Sequence, residues 1–335
     1  MKINREELLK VLDAVAPGLA TKKLIEQTQS FIFKDGFVMT YNDEISIRHS
    51  FTGPFEGAVK AAELHQLLNK TKEEELEFEA TQNELLIKGK RTWAGIRLEE
   101  KISLPVGDME LPSEWFNVPS DMIEGMKFAM FSISKDMSKP IFTCLHCEGS
   151  TITSCDRFRL TEFTMSNPVE KPFLIHNSSA SRLVKYDPEK YGMTQGWIHF
   201  KMKDEVIFSC RAFGGKFPNV EQVKKVEGFE ITFPSKLKEM IERAQIFAAS
   251  KGARIKVKLD KGEVQIGSEC DGGWLKEITR TDYKGEMISF IIDPQFFLDA
   301  LELMPTITIG NASRNMKMKG ENFIHVVALM KGEAE

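Results

Sequence analysis

The sequence lacks most of the features from which a function is usually read. Its 335 residues contain no uninterrupted apolar run of the roughly 18 needed to span a bilayer. The opening MKINREELLK is too polar for the apolar part of a secretory signal. Five cysteines, an odd number scattered over the chain, do not suggest a disulfide framework, so a reducing cytoplasm is the expected compartment. The net charge of −4 excludes a surface coated in basic groups. It does not exclude nucleic acid, because binding depends on where positive charge is placed. Chemistry is equally sparse. Gly214-Gly215 has neither the G-x-G-x-x-G nor the G-K-[ST] surroundings of a phosphate loop. Cys144-Leu145-His146-Cys147 has no second pair to complete a zinc site, and on a strand Cys144 and Cys147 point to opposite faces. Glu239 and Arg243 read as a helical i, i+4 pair rather than an acid and a base. No Ser-His-Asp set stands out among the six histidines. The expectation is a protein that is not an enzyme, with no catalytic residue, no metal and no cofactor.

What the sequence does contain is a repeat. Residues 139–165, KPIFTCLHCEGSTITSCDRFRLTEFTM, read as two strands joined at Glu148-Gly149, a polar knot at 154–157, and renewed alternation at Phe158, Leu160 and Phe163. Residues 29–51 have the same layout, and residues 253–281 a looser version of it. The turn glycines Gly36, Gly149 and Gly262 recur at equal spacing, each followed by an acidic residue at the same interval: Asp43, Asp156 and Glu269.

Helical patterns frame each hairpin. Residues 4–16 align Leu8, Val11, Leu12 and Val15 behind an Asn4 cap. Residues 119–131 and 234–249 both open on Pro-Ser. Second helices are predicted at 61–72, 177–186 and 293–304, and strand pairs at 76–98, 196–213 and 307–330. A period of about 115 residues is a repeated domain rather than a solenoid unit. Boundaries near 111–115 and 226–230 give domains 1–113, 114–228 and 229–335. The predicted class is α+β, with antiparallel sheet on one side of each domain and two helices on the other. Three such units in an arc leave sheet edges at both ends, which a second copy would close into a ring with the helices facing the hole.

In this layout the chain resembles the bacterial-type DNA polymerase sliding clamp, the beta subunit of the replicative DNA polymerase III. SCDRFRL at 154–160 is similar to the family's T-D-G-H-R-L segment. GGKFPNVEQV at 214–223 is similar to G-x-[FY]-P-[DN]. YKGEMISFIIDPQFFLDAL at 283–301 and HVVALM at 325–330 resemble two further segments of the third domain. The resemblance implies a homodimeric ring that encircles double-stranded DNA, contacts it non-specifically through phosphates, and tethers the replicative polymerase, the clamp loader and other proteins carrying a clamp-binding peptide; no membrane is involved. The peptide cleft it implies comprises Phe142, Cys155, Arg157, Phe158, Leu160, Pro218, Gln222, Val223, Val326 and Ala328, an apolar pocket beside a Pro-bearing loop. The DNA-contacting set it implies, with neighbouring bases added, is Lys22, Lys23, Lys139, Arg182, Lys185, Lys190, Lys236, Lys238 and Arg243, with Lys251 nearby. By the same analogy the strand near 93–102 meets the 253–259 strand of the other copy.

The chain departs from the family at Arg157-Phe158, where Gly-His is usual, at Gln222, at Ala328, and in its tail at 332–335. The departures point to a diverged member, of phage or mobile-element type, with an altered peptide preference. The alternative is a clamp-fold peptide-binding scaffold that no longer encircles DNA.

Overall fold

The structure, a computed structural model, describes residues 1–22, 25–106, 109–248, 253–309 and 314–330. It divides into two compact units. One comprises Met1–Ile123 with Val169–Gly214, the other Glu124–Pro168 with Gly215–Glu335. Lys23, Lys251 and the 332–335 tail lie outside the described residues.

In the first unit every strand pairing is antiparallel, and the strands form one twelve-stranded sheet. Its order is Lys2–Asn4, Glu75–Ala80, Glu84–Lys88, Trp93–Glu99, Gly57–Lys60, Ser30–Lys34, Phe37–Tyr41, Ile45–Ser50, Ile207–Arg211, Trp197–Met202, Pro188–Thr194 and Phe116–Asn117. The helix Arg5–Val15 begins where expected. The Asn4 side chain accepts from the backbone N–H groups of Glu6 and Glu7, two donors that a first helical turn leaves without partners. Its Leu8, Leu12 and Val15 are buried. The helix Ala61–Lys70 buries Leu64 and Leu68, and Asn177–Leu183 is capped by His176 rather than by its own Asn177.

In the second unit a run of antiparallel strands has the order Cys144–Glu148, Thr151–Cys155, Arg159–Thr164, Phe323–Ala328, Asn315–Lys319, Thr306–Ile309 and Phe229–Thr232. Residues 139–143, read as strand in the sequence, form a short 3-10 turn at Pro140–Thr143, because proline supplies no ladder N–H. A separate four-stranded sheet runs Gly273–Arg280, Glu263–Cys270, Ile255–Asp260, Ile288–Ile292. The helices Lys236–Ala248 and Pro294–Leu303 bury Leu237, Met240, Ile241, Phe297 and Leu301 in the same core as Val257, Ile266, Met316 and Val327. The strand at 253–259 is therefore not an edge: Ile255–Asp260 is paired on both sides, and the end strands are Gly273–Arg280 and Ile288–Ile292, the latter bridged at Ile291 to Met330. Among the described residues no helix is long and apolar enough to cross a membrane.

Candidate functional site

The strand Thr151–Cys155 ends in a turn built by Asp156. Its Oδ1 accepts from the N–H of Phe158 at 3.0 Å and of Arg159 at 2.7 Å, a local side-chain-to-backbone closure typical of Asp. The turn holds Arg157 at φ +80°, a region that residues bearing a Cβ rarely enter. This is the position at which the resembled segment carries Gly. Arg157 and Phe158 are both exposed, Phe158 to 53%. Arg159 turns inward. Its guanidinium bonds Asp156 and, at 2.9 Å, Asp299 on the helix Pro294–Leu303, and it lies 4.2 Å from the ring centroid of Phe296. The three charged side chains are largely buried, where charge-assisted bonds are stronger than at the surface and losing one partner is costly.

Backbone pairing gathers much of the predicted cleft. Leu160 stands opposite Cys155 on one side and Val326 on the other, so the three share a face. The Ala328 N–H donates to the Phe158 carbonyl at 2.7 Å, which fixes the backbone of the Phe158 turn to the end of the Phe323–Ala328 strand. Glu162, two residues beyond Leu160 and on its face, accepts from Lys224 at 2.8 and 3.0 Å, and Lys224 also pairs with Glu221 at 2.6 Å. That pairing fastens the loop bearing Pro218, Gln222 and Val223, all exposed. Phe217 in the same loop stacks on His146 at 4.9 Å. Phe142 is half-buried in the 3-10 turn, its carbonyl accepting from Ser134 N–H at 2.9 Å. Burial pushes the Cys155 thiol up to about 12, with Asp156 adding to the effect. The side chain therefore serves as a small apolar lining group rather than a nucleophile.

Beneath the row, Thr161 bonds both Ser132 at 2.6 Å and His325 Nδ1 at 2.8 Å. Burial, and then the Arg159 charge, depress His325 to about 3, so the ring is neutral.

The first unit contains the same turn with different side chains. Asn42 Oδ1 accepts from the N–H of Glu44 and Ile45, Asp43 takes φ +75°, and the Arg211 N–H donates to the Glu44 carbonyl at 2.9 Å. Register therefore matches Asn42 with Asp156, Asp43 with Arg157, Glu44 with Phe158, Tyr41 with Cys155, Trp197 with Asn315 and Arg211 with Ala328. The interval relating Asp43 to Asp156 in the sequence is one residue out of this register. In the first unit the space is filled. The Arg211 guanidinium lies 4.3 Å from the Trp197 ring centroid and pairs with Asp43, and the Tyr41 ring is 6.3 Å from Trp197. In the second unit the smaller Cys155, Asn315 and Ala328 stand at those three positions.

The proposed DNA-facing bases are spread over both units. In the first, Lys22, Lys185 and Lys190 are exposed, Lys190 on the strand Pro188–Thr194, while Arg182 is half-buried with a sequestered Nη1. In the second, Lys139 and Lys236 are exposed and Lys238 is half-buried. Arg243 is committed to Glu277 through two bonds, 2.6 and 2.8 Å, which the sequence pairing with Glu239 does not indicate. Cys144 and Cys147 are both buried, and burial raises both thiols. Among the described residues no three of His, Cys, Asp or Glu are grouped to hold a metal ion.

Sequence reading missed Arg159's partners Phe296 and Asp299, the Lys224–Glu162 tether, and Asn315. A signal for the last was present. Had the repeats been aligned on Asn42 and Asp156, the exchange of Tyr, Trp and Arg for Cys, Asn and Ala would have marked the open copy.

Comparison with known proteins gives first the class. The structure matches the DNA polymerase III beta chain of Streptococcus pneumoniae TIGR4 with a TM-score of 0.86 at 18% identity, over 99% of each chain. It matches the beta subunit of Thermotoga maritima with a TM-score of 0.83 at 16% identity, and the DNA polymerase sliding clamp of Pseudomonas aeruginosa with ligand with a TM-score of 0.85 at 18%, each again over 99% of both chains. The chain has the fold of the bacterial DNA polymerase sliding clamps, far diverged in sequence. Residues 230–311 match the family model described as DNA polymerase III beta subunit, C-terminal domain. No curated protein sequence matches.

Proposed function

We propose that this protein is a DNA polymerase processivity factor: two copies form a ring around duplex DNA, and partner proteins dock a short peptide in the cleft around Phe158, Leu160 and Val326. The observation that carries the reading is the clamp fold over 99% of the chain, joined to a turn whose second-unit copy is emptied of the side chains that fill the first. In this reading the chain comprises three clamp domains, 1–113, 114–228 and 229–335. Cleft binding rests on apolar anchors that a short peptide needs, with Pro218, Val223 and Phe142 at the margins. DNA contact rests on exposed lysines such as Lys22, Lys139, Lys185 and Lys236, a sparse set that fits a weak, mobile, phosphate-directed grip.

Closure between copies is supported by two sheet edges. Residues Trp93–Arg97 are paired on one side only, by Glu84–Lys88, and Trp93 is 71% exposed. The Gly273–Arg280 edge presents Trp274 and Ile278, 72% and 51% exposed. Open edges with large apolar side chains favour pairing with another chain.

The test is retention on nicked circular duplex DNA after loading, with release when the circle is cut, together with scattering that reports a dimer. A compact monomer at micromolar concentration would defeat the ring. A dimer that binds peptide but is never retained on the circle would favour the scaffold, the reading towards which Arg243's engagement by Glu277 leans.

A further inference from the structure

Resting on that reading of the cleft, we propose that Arg157 makes it selective for a peptide carrying a carboxylate directly beside its apolar anchor. Arg157 and Phe158 are adjacent, both exposed, and fixed by the Asp156 turn. Adjacent residues in such a turn present one charged and one apolar group to the same visitor. The apolar partner is Phe158 itself, 53% exposed, its ring 6.2 Å from that of Phe296 and its carbonyl bonded by the Ala328 N–H.

The charged partner is available. Arg157 pairs with Asp136 at 3.3 Å, but both side chains are nearly half exposed, 45% and 48%. Such surface pairs are weak, so a ligand carboxylate can take Asp136's place. Arg159, the next cation along, is not available, because Asp156, Asp299 and Phe296 already occupy it. Lys224 is likewise held by Glu162 and Glu221. Arg157 is thus the guanidinium beside Phe158 held only by a weak, exposed pair.

The backbone adds a second argument. Glycine occupies φ +80° without strain, whereas Arg157 occupies it at a cost. In the first unit the same position holds Asp43, which is engaged at the surface by both Tyr41 and Arg211. Among the described residues Arg157 is paired with the exposed Asp136 alone, so its guanidinium is placed to take an external anion. Planar guanidinium and carboxylate match in a forked geometry that lysine does not reproduce.

The carboxylate could be a side chain or the peptide's own C-terminus, and the assay separates them. Fluorescence anisotropy is measured with peptides sharing one Leu-Phe anchor and followed by Glu, by Gln, or by a free or amidated C-terminus. For the wild-type protein the Glu peptide should bind about 5- to 10-fold more tightly than the Gln peptide, a preference that shrinks in high salt. If the C-terminus is the recognised group, the free peptide should exceed the amide by the same factor. Arg157→Gly should abolish the preference, with a melting temperature no lower than the wild type's, because glycine takes φ +80° without strain. Asp136→Asn should enlarge it. Equal affinities in the wild type, or a preference that survives Arg157→Gly, overturn the proposal. If binding of every peptide is equal yet lost in Leu160→Asp, the cleft stands without the acidic preference. If no peptide binds at all, the cleft reading fails and this inference with it.

Discussion

Two copies of one turn, at Asn42–Glu44 and at Asp156–Phe158, show how one repeated backbone comes to carry different side chains in two places. The hydrogen bonds are the same: an Asx side chain caps two N–H groups, and a partner-strand N–H reaches the carbonyl two residues after the cap. Even the buried hydroxyl beneath is repeated. Thr40 donates to the Val15 carbonyl, and Ser154 donates to the Ala129 carbonyl. What differs is volume and charge. The first turn satisfies its own side chains, with Asp43 on Arg211 and Arg211 over Trp197. The second exports Arg157 and Phe158 and recruits Arg159 to the Pro294–Leu303 helix. In the proposed reading, the second unit gains a docking surface by carrying smaller side chains where the first carries Tyr, Trp and Arg.

The comparison can be broken by writing the first turn into the second. Arg157→Asp with Ala328→Arg recreates the Asp43–Arg211 pair in the second unit. Peptide binding should fall by roughly 100-fold or more as the space beside Phe158 fills, in line with loss of a central apolar anchor, with little change in thermal stability. Unchanged affinity in the anisotropy assay would show that the two turns do not differ in the way described.

Arg159→Ala strikes the feature found only in the second copy. It leaves Asp299 and Asp156 largely buried without their cation, a class of change that costs about 3 kcal/mol or more. Denaturant unfolding should report this loss, while Ile45→Ala at the matching position tests whether an apolar truncation in the first unit costs a comparable 2–4 kcal/mol. A loss below about 1 kcal/mol for Arg159→Ala would mean that the bridge to the helix is not the anchor of this turn.

A smaller effect concerns pH. His325 lies opposite Thr161 where the first unit has Phe208 opposite Ile47. Its folded value of about 3 lies below the usual 6.5. The unfolded chain therefore binds a proton that the folded one refuses. Stability is full above pH 6.5 and is lost as pH falls from there towards 3, by at most about 1.4 kcal/mol per pH unit for this group. His199, depressed to about 4 by burial and by Arg48, adds a similar slope in the other unit. His325→Phe should flatten its own share. Melting temperatures between pH 4 and 7 that fall equally steeply in wild type and variant would remove the effect.

Much of the fold was legible in the sequence, for identifiable reasons. Asn4 announced a helix start because its side chain can accept from N–H groups that the first turn leaves without partners. Gly36, Gly149 and Gly262 announced turns because all three take positive φ. The site was legible in part. The pairing of Leu160 with Val326 joins residues far apart in the chain, and only the resemblance, not any periodicity, brought them together. The pairing of Arg243 with Glu239 was legible from helical spacing and is present at 3.8 Å, whereas its closer partner Glu277 lies on a strand far along the sequence, where no such spacing points to it.

The sequence by itself thus determined local matters: caps, turn glycines, amphipathic faces and a repeat of about 115 residues, each enforced by contacts between near neighbours. Tertiary structure decided which strand is an edge, which bases are already spent on acids, and which copy of the turn stands open. Those outcomes depend on side chains that meet only after strands distant in sequence have paired, and on whether the residues opposite are Trp and Arg or Asn and Ala.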